Sequence, residues 1–404
     1  MWRTLHNKWL AWAGTHAQGL IQSTSAQAFN LLGLIAGSIL ASSVGVLNQF
    51  PWGMLVFPGL LSVRGAIGGL FSGRLSTGLH LGTIQPRLHN NTAEAYQLFS
   101  SIIVLTALSA TLLSLGGVIF QVLAVGGGLP ESLEIIQAVY TSMALSLATI
   151  TPITFTVSIL SFERGWDPDV VVYAITSTSA DILISLIFVS VMRSLLQGGW
   201  GVAFLRSMVT LGFIGLAIWL HLENRGKPGY SKTLKEARGT LVVVSTIVTF
   251  TGLTLGRLSQ AIGNAPEVYT IYPAIISNVG DAGSMIGSTA TTKLNLGLLE
   301  ARLESFKGHL REVGYAWASS LIMFTLYSLV SCALYGWANL PRLLATVWLT
   351  NILIIPLIAL LSFSAGIYTF QRGLDPDNFV IPFETSLADG LTTLILYLIL
   401  SALY

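Results

Sequence analysis

Charge is scarce in this chain. Only 9% of its 404 residues are Asp, Glu, Lys or Arg, where an ordinary soluble domain carries about 25%. A 43.3 kDa globule with so few charges cannot wet its surface, which excludes a soluble enzyme, a nucleic-acid-binding protein and a disordered scaffold. Cysteine is nearly absent as well. The single residue, Cys332, rules out an internal disulfide framework and reads as a small apolar residue in a buried helix. The histidines (His6, His16, His80, His89, His221 and His309) are scattered at ends and loops. No imidazole or thiolate cluster selective for zinc or copper is therefore expected. What abounds is apolar: 53% hydrophobic residues and 40 glycines, with a mean hydropathy of +0.72. The class is an all-α polytopic membrane protein, with the lipid bilayer as its first partner.

A membrane helix needs roughly 20 largely apolar residues. Eleven such runs are expected, at 30–48, 52–72, 99–125, 134–160, 169–196, 200–221, 238–258, 265–289, 312–337, 341–369 and 378–403. Residues 1–21 have no clean apolar core before a small-residue cleavage site, so no signal peptide is expected. Instead Trp2, Leu5, Trp9 and Trp12 recur at helical spacing around Arg3 and Lys8, the pattern of an interfacial amphipathic helix. With the N-terminus inside, every Lys and Arg except Arg64, Arg193, Arg206, Arg257 and Arg342 falls on the inner side. The positive-inside rule then places the N-terminus in the cytoplasm and the C-terminus outside.

The chain contains an internal duplication. Residues 58–82 align without gaps onto 273–297, pairing Pro58 with Pro273, Gly65 with Gly280, Gly68 with Gly283 and Gly82 with Gly297. Residues 162–181 align onto 370–389, pairing Arg164 with Arg372, Gly165 with Gly373, Asp167 with Asp375, Pro168 with Pro376, Asp169 with Asp377 and Asp181 with Asp389. Matches in Gly, Pro, Asp and Arg are informative where apolar matches are cheap. The expected organisation is an N-terminal segment at 1–29, a repeat at 30–196, a linker helix and basic loop at 197–237, and a second repeat at 238–404. Five spans end on the side opposite their start. The linker span restores orientation, giving parallel repeats (5+1+5) related by a pseudo-two-fold axis along the membrane normal, where a central pathway is expected.

Acidic residues deep in spans are rare and expensive. Here they are Asp181, Asp281, Glu384 and Asp389. Asp181 stands 12 residues beyond Asp169, about 18 Å along a helix at ~1.5 Å per residue, and Asp389 is equally far from Asp377. Both are expected at mid-membrane. Thr385 and Asp389 are i, i+4, and Thr178 and Asp181 are i, i+3, so each pair shares a helix face. Asp281 lies in the string Gly280-Asp281-Ala282-Gly283-Ser284, eight residues after Pro273, where proline and paired glycines loosen the helix and admit close approach. Carboxylates, hydroxyls and carbonyls form an all-oxygen set suited to hard cations, and Mg²⁺ keeps several waters and uses only one or two carboxylates. An alternative partner for Asp281 is Arg64, two residues before its counterpart Ala66. Glu384, opposite Thr176 and nearer the inner end, reads as vestibule. The Gly-x-Asp-Pro-Asp loops read as helix caps, and Gly65, Gly69 and Gly73 as packing surfaces.

At Ser72–Gly82 (SGRLSTGLHLG), Gly280–Ser284 (GDAGS) and Asp375–Asp389 (DPDNFVIPFETSLAD) the chain resembles the MgtE family of divalent-cation transporters, most of all the duplicated solute-carrier magnesium transporters. The resemblance implies a five-span unit working as a pair, here a monomer acting as a pseudo-dimer in the plasma membrane, with Mg²⁺ as the transported and bound ion. It assigns the central acidic position to Asp181 and Asp389. The residues themselves add Thr385, Ser284, Gly280, Asp281 and Thr178 as further ligand candidates and Arg64 as a charge modulator. The family's usual Gly-Asn is Gly65-Ala66 and Gly280-Asp281 here, which implies an asymmetric site. No soluble regulatory domain is expected in the residues before the first span. Cation-coupled exchange or export, driven by Na⁺ or H⁺, is the alternative. An intramembrane aspartyl protease is remote, because position 278 is Asn where a Gly-x-Gly-Asp string needs Gly and Asp181 follows Ala180 instead of Tyr. No enzymatic activity is expected.

Overall fold

The apolar runs form helices, each extending past its run at one end or both. In the computed structural model the described residues are 17–164, 168–263, 265–372 and 376–403, with no account of the side chains of 168–175, 262, 295 and 376–383. The helices are α1 (Ala17–Leu47, tightened to a 3₁₀ turn at Ala28–Leu32), α2 (Gly53–His80), α3 (Ala93–Val125), α4 (Leu129–Glu163), α5 (Pro168–Gln197), α6 (Trp200–Asn224), α7 (Pro228–Ile262), α8 (Pro266–Asn295), α9 (Leu310–Tyr335), α10 (Leu340–Arg372) and α11 (Pro376–Leu403). No strand occurs among the described residues. All but α8 are long and apolar enough to cross a membrane. α8 is as long, but Gly, Ser, Thr and Asn dilute its apolar content around Asp281. The expected amphipathic segment at 1–16 and the capping loops at 165–167 and 373–375 lie outside the described residues. α5 and α11 nevertheless begin at Pro168 and Pro376, first-turn positions where the missing proline N–H costs no hydrogen bond.

The helices sort into two compact units that do not follow chain order. One comprises residues 1–34 and 271–404, the other 35–270. The first helix is thus shared: its N-terminal half belongs with the C-terminal helices. Within that unit Gln27 donates to Ser320 on α9 (3.2 Å), and Gly33 lets α1 approach the Ala274 backbone of α8. At the other end of α8, His309 Nε2 donates to the carbonyl of Ile286 (3.0 Å) and Lys293 pairs with Glu312 (2.8 Å). Cys332, the single cysteine of the chain, is buried in α9.

In the unit of residues 35–270, α2 packs against α3, α4, α5 and α7. The α2–α7 crossing is close because residue 252 is glycine: a Cβ there would overlap the Leu55 carbonyl. Arg74 on α2 pairs with Glu236 on α7 and donates to Thr233 (2.9 Å). α6 leans on α3 and α4, with Gln137 donating to Ser207 (3.0 Å), and turns Trp200, Phe204, Leu205 and Leu211 outward, as a helix bordering lipid would. Of the glycines expected to pack in α2, Gly65 and Gly73 do not. A Cβ on Gly65 or Gly73 would meet nothing within 4 Å.

Candidate intramembrane polar site

In the unit of residues 1–34 and 271–404, α8 carries the polar material expected of it. The helix runs unbroken through Pro273, so the glycines serve close approach and leave the helix wound. Gly280 faces the side chain of Thr385 on α11, 3.5 Å from where a Cβ would be. One turn on, a Cβ on Gly283 would overlap the Glu384 carboxylate and stand 2.7 Å from Ile358 on α10. Glu384 therefore fills a notch that α8 leaves open, accepts a hydrogen bond from Ser362 of α10 and is 4% exposed. That enclosure is tighter than a vestibule position would show.

Asp281 is half-buried and accepts from Asn30 Nδ2 at 2.8 Å. On the same helix, three residues to either side, Asn278 Oδ1 and Ser284 Oγ are buried without a hydrogen-bond partner among the described residues. Offsets of three put these oxygens on one broad helix face. Buried polar atoms are satisfied in the great majority of cases, so an unsatisfied pair flanking a carboxylate marks a place where water or a cation would be held. Asn278 donates its own side-chain N–H to Tyr327 (3.3 Å), which leaves the amide oxygen as the buried acceptor. Asp389 is buried at 8% exposure, within electrostatic reach of Tyr272. Tyr272 meets Thr393 at 2.9 Å, and Thr393 donates to the Asp389 carbonyl (2.6 Å). A hydroxyl has one proton, so Tyr272 is the donor and Thr393 the relay.

In the unit of residues 35–270, Asp181 is half-buried and Thr178 buried on α5. Arg64 of α2 is 2% exposed, and its charge attracts that of Asp181. Within its own unit Asp281 has Asn30 as its hydrogen-bond partner. A small cavity is lined by Arg64, Gly65, Gly68, Thr154, Thr176 and Ser177. These are the repeat counterparts of the notch residues: Gly68 matches Gly283, Thr176 matches Glu384, and the same register pairs Thr154 with Ser362. Among the described residues no three His, Cys, Asp or Glu side chains converge as around a metal.

Sequence reasoning missed Asn30, Asn278, Tyr272 and Ser362. Asn30 and Asn278 carried a signal, since an amide in an apolar run is costly unless paired; Tyr272 and Ser362 carried none, because tyrosine and serine are ordinary in spans.

Helices that bury carboxylates, amides and unsatisfied hydroxyls inside apolar bundles define an integral membrane protein built to pass a polar solute. Comparison with known proteins narrows the class. Residues 57–191 and 272–399 match the MgtE family, described as divalent cation transporter, and the chain belongs to it. It is 23% identical over 387 residues to solute carrier family 41 member 3 of Rattus norvegicus, covering 85% of this chain and 78% of that protein. The Mus musculus protein of the same name is 23% identical over 375 residues, covering 85% and 74%. No solved structure matches.

Proposed function

We propose that this chain carries Mg²⁺ across the cell membrane, down its electrochemical gradient, by a path lined with oxygen. The observation that carries the reading is the group on α8: the Asp281 carboxylate flanked by the unpartnered oxygens of Asn278 and Ser284. It lies inside a segment matched by a divalent-cation transporter family. One carboxylate with neutral oxygens, completed by water, suits an ion that dehydrates reluctantly. Asp389 and Thr385 on α11 are assigned to the same unit's ligand set with Gly280, which keeps α8 close to Thr385. Asp181 is the repeat counterpart of Asp389, and Thr178 joins it as the hydroxyl on the same face of α5. The reading includes parallel repeats at 30–196 and 238–404 and a cytoplasmic N-terminus, supported by the distribution of Lys and Arg.

Purified protein in liposomes loaded with a Mg²⁺ indicator tests this. Asp389→Ala and Asp281→Ala should each abolish uptake while keeping the monodisperse elution profile of the parent; undiminished uptake by folded Asp389→Ala would remove that residue from the path. Repeating the assay with Mn²⁺, Co²⁺, Zn²⁺ and Ca²⁺ reads selectivity. Imposed Na⁺ and pH gradients decide against simple permeation if they drive uptake uphill.

A further inference from the structure

The proposed ion path leaves Glu384 unused. Its side chain is 4% exposed in the notch between α8, α10 and α11. Glycines form the α8 wall: a Cβ on Gly283 would overlap Oε1, and one on Gly287 would stand 3.4 Å from Oε2. Ser362 of α10 donates to Oε1. Oε2 has no donor among the described residues, and its side of the notch offers an acceptor, the Ser362 carbonyl, 3.7 Å from the same Gly287 position. No Lys, Arg or His among the described residues is within ion-pair distance of Glu384. The charged groups on the notch helices are engaged or placed elsewhere. On α8, Asp281 is two residues from Gly283, an offset that does not share a face, and accepts from Asn30. Lys293 pairs with Glu312, and Glu267 is in the first turn of α8. On α10, Arg372 lies over the Tyr368 ring, 4.5 Å from its centroid. On α11, Asp389 is five residues on, off the face that Glu384 occupies.

A carboxylate with one hydrogen bond and no counter-charge is costly to bury, and such a group neutralises instead. The notch has no room for a metal ion with its waters, since even one methyl added to Gly283 would overlap its contents. A proton needs no room, and the O–H it forms on Oε2 is a donor on the side where an acceptor lies. We infer that Glu384 is a proton-binding site, closed as the neutral acid inside the contact of α8 with α10 and α11. When that contact opens to water the O–H bond breaks, the proton passes to water and the carboxylate is solvated; closure takes a proton back. The repeat counterpart of Glu384 is Thr176, so the first repeat lacks the site. Acids inside membrane helices serve as proton carriers. Here the proton governs how α8 packs on α11, the contact that also sets Gly280 against Thr385. The inference goes beyond the cation reading and does not depend on it.

The test is infrared spectroscopy of the detergent-purified full chain, together with its unfolding across pH. Glu384→Gln copies the neutral acid, and Glu384→Met fills a similar volume without charge; either serves as the reference. At about pH 7, where a solvated glutamate is ionised, the parent is expected to show a carboxylic-acid C=O band that shifts in D₂O and is missing from the variants. Identical acid bands in parent and variants overturn the inference. Above about pH 4.3 an unfolded glutamate has released the proton that the folded chain keeps, so raising the pH favours unfolding. From about pH 5 upward, the parent's folding equilibrium should fall about tenfold per pH unit relative to Glu384→Gln, until the site gives up its proton. Parallel curves overturn the inference. So does a parent that gains on the variant as pH rises, the pattern of a paired carboxylate. Failure of both variants to fold at about pH 7 would show that the notch needs the charge, and overturns it too. The cation reading fails separately, if the parent takes up no Mg²⁺ in liposomes, whatever the bands show.

Discussion

Asn30 Nδ2 stands 2.8 Å from Asp281 Oδ2, joining α1 to α8 across 251 residues of chain. The bond gives the N-terminal half of α1 a reason to sit with the C-terminal helices. A carboxylate inside an apolar bundle takes whatever donor is near, and an amide supplies one without adding charge. Asn30→Ala removes that donor from a half-buried acid. We expect a loss of about 1–3 kcal/mol, the cost of leaving a buried polar group unsatisfied, seen as a lowered unfolding midpoint in detergent. Asn30→Ala/Asp281→Ala should recover part of it, because the stranded acid is gone. Additive losses would show that the bond contributes nothing.

Why Asp281 was visible in the sequence and Asn30 less so is a matter of chemistry. A charged residue in an apolar run is anomalous wherever its partner lies, so Asp281, Asp181 and Asp389 stood out. The partner is chosen by tertiary packing, and hydropathy does not encode which bundle a helix joins; the membership of α1 in two units could not be read. Helix positions were legible because length and apolarity are local properties, and the beginnings of α5 and α11 at Pro168 and Pro376 because proline acts locally. The packing role expected of Gly65 and Gly73 failed because small-residue spacing permits close approach without requiring it. Close approach occurs instead at Gly252, where α7 meets the Leu55 carbonyl, and at Gly283.

Glycines 283 and 65 make a direct comparison. A Cβ on Gly283 would overlap the Glu384 carboxylate, lie 2.7 Å from Ile358 Cγ2 and lie 3.1 Å from Ser362 Oγ. Overpacking a filled site typically costs about 1–3 kcal/mol, and Gly283→Ala should unfold at lower temperature by a corresponding margin. Gly65→Ala adds a methyl where nothing lies within 4 Å. There alanine's better helix propensity should leave stability unchanged or raise it by up to about 1 kcal/mol. Equal effects at the two positions would contradict the filled notch beside Gly283 and the open space beside Gly65.

Tyr272, Thr393 and Asp389 form a directed chain. Thr393 gives its only proton to the Asp389 carbonyl, so it receives one from Tyr272. Both side chains are buried, which makes each lost bond felt. Tyr272→Phe deletes the donor but leaves the Thr393–Asp389 bond, and should cost about 0.5–1.5 kcal/mol, the net value of one hydrogen bond. Thr393→Val keeps the shape but removes both bonds and strands the Tyr272 hydroxyl, so it should cost more, about 1–3 kcal/mol. If the chain also holds the Asp389 turn in place, the two variants will separate in transport as well. In liposomes Tyr272→Phe should keep most of its Mg²⁺ uptake, whereas Thr393→Val should lose several-fold in rate at saturating Mg²⁺. Equal stability losses would mean that the tyrosine proton is not given to Thr393. A rate loss in Tyr272→Phe as large as in Thr393→Val would place the phenol itself on the ion's path.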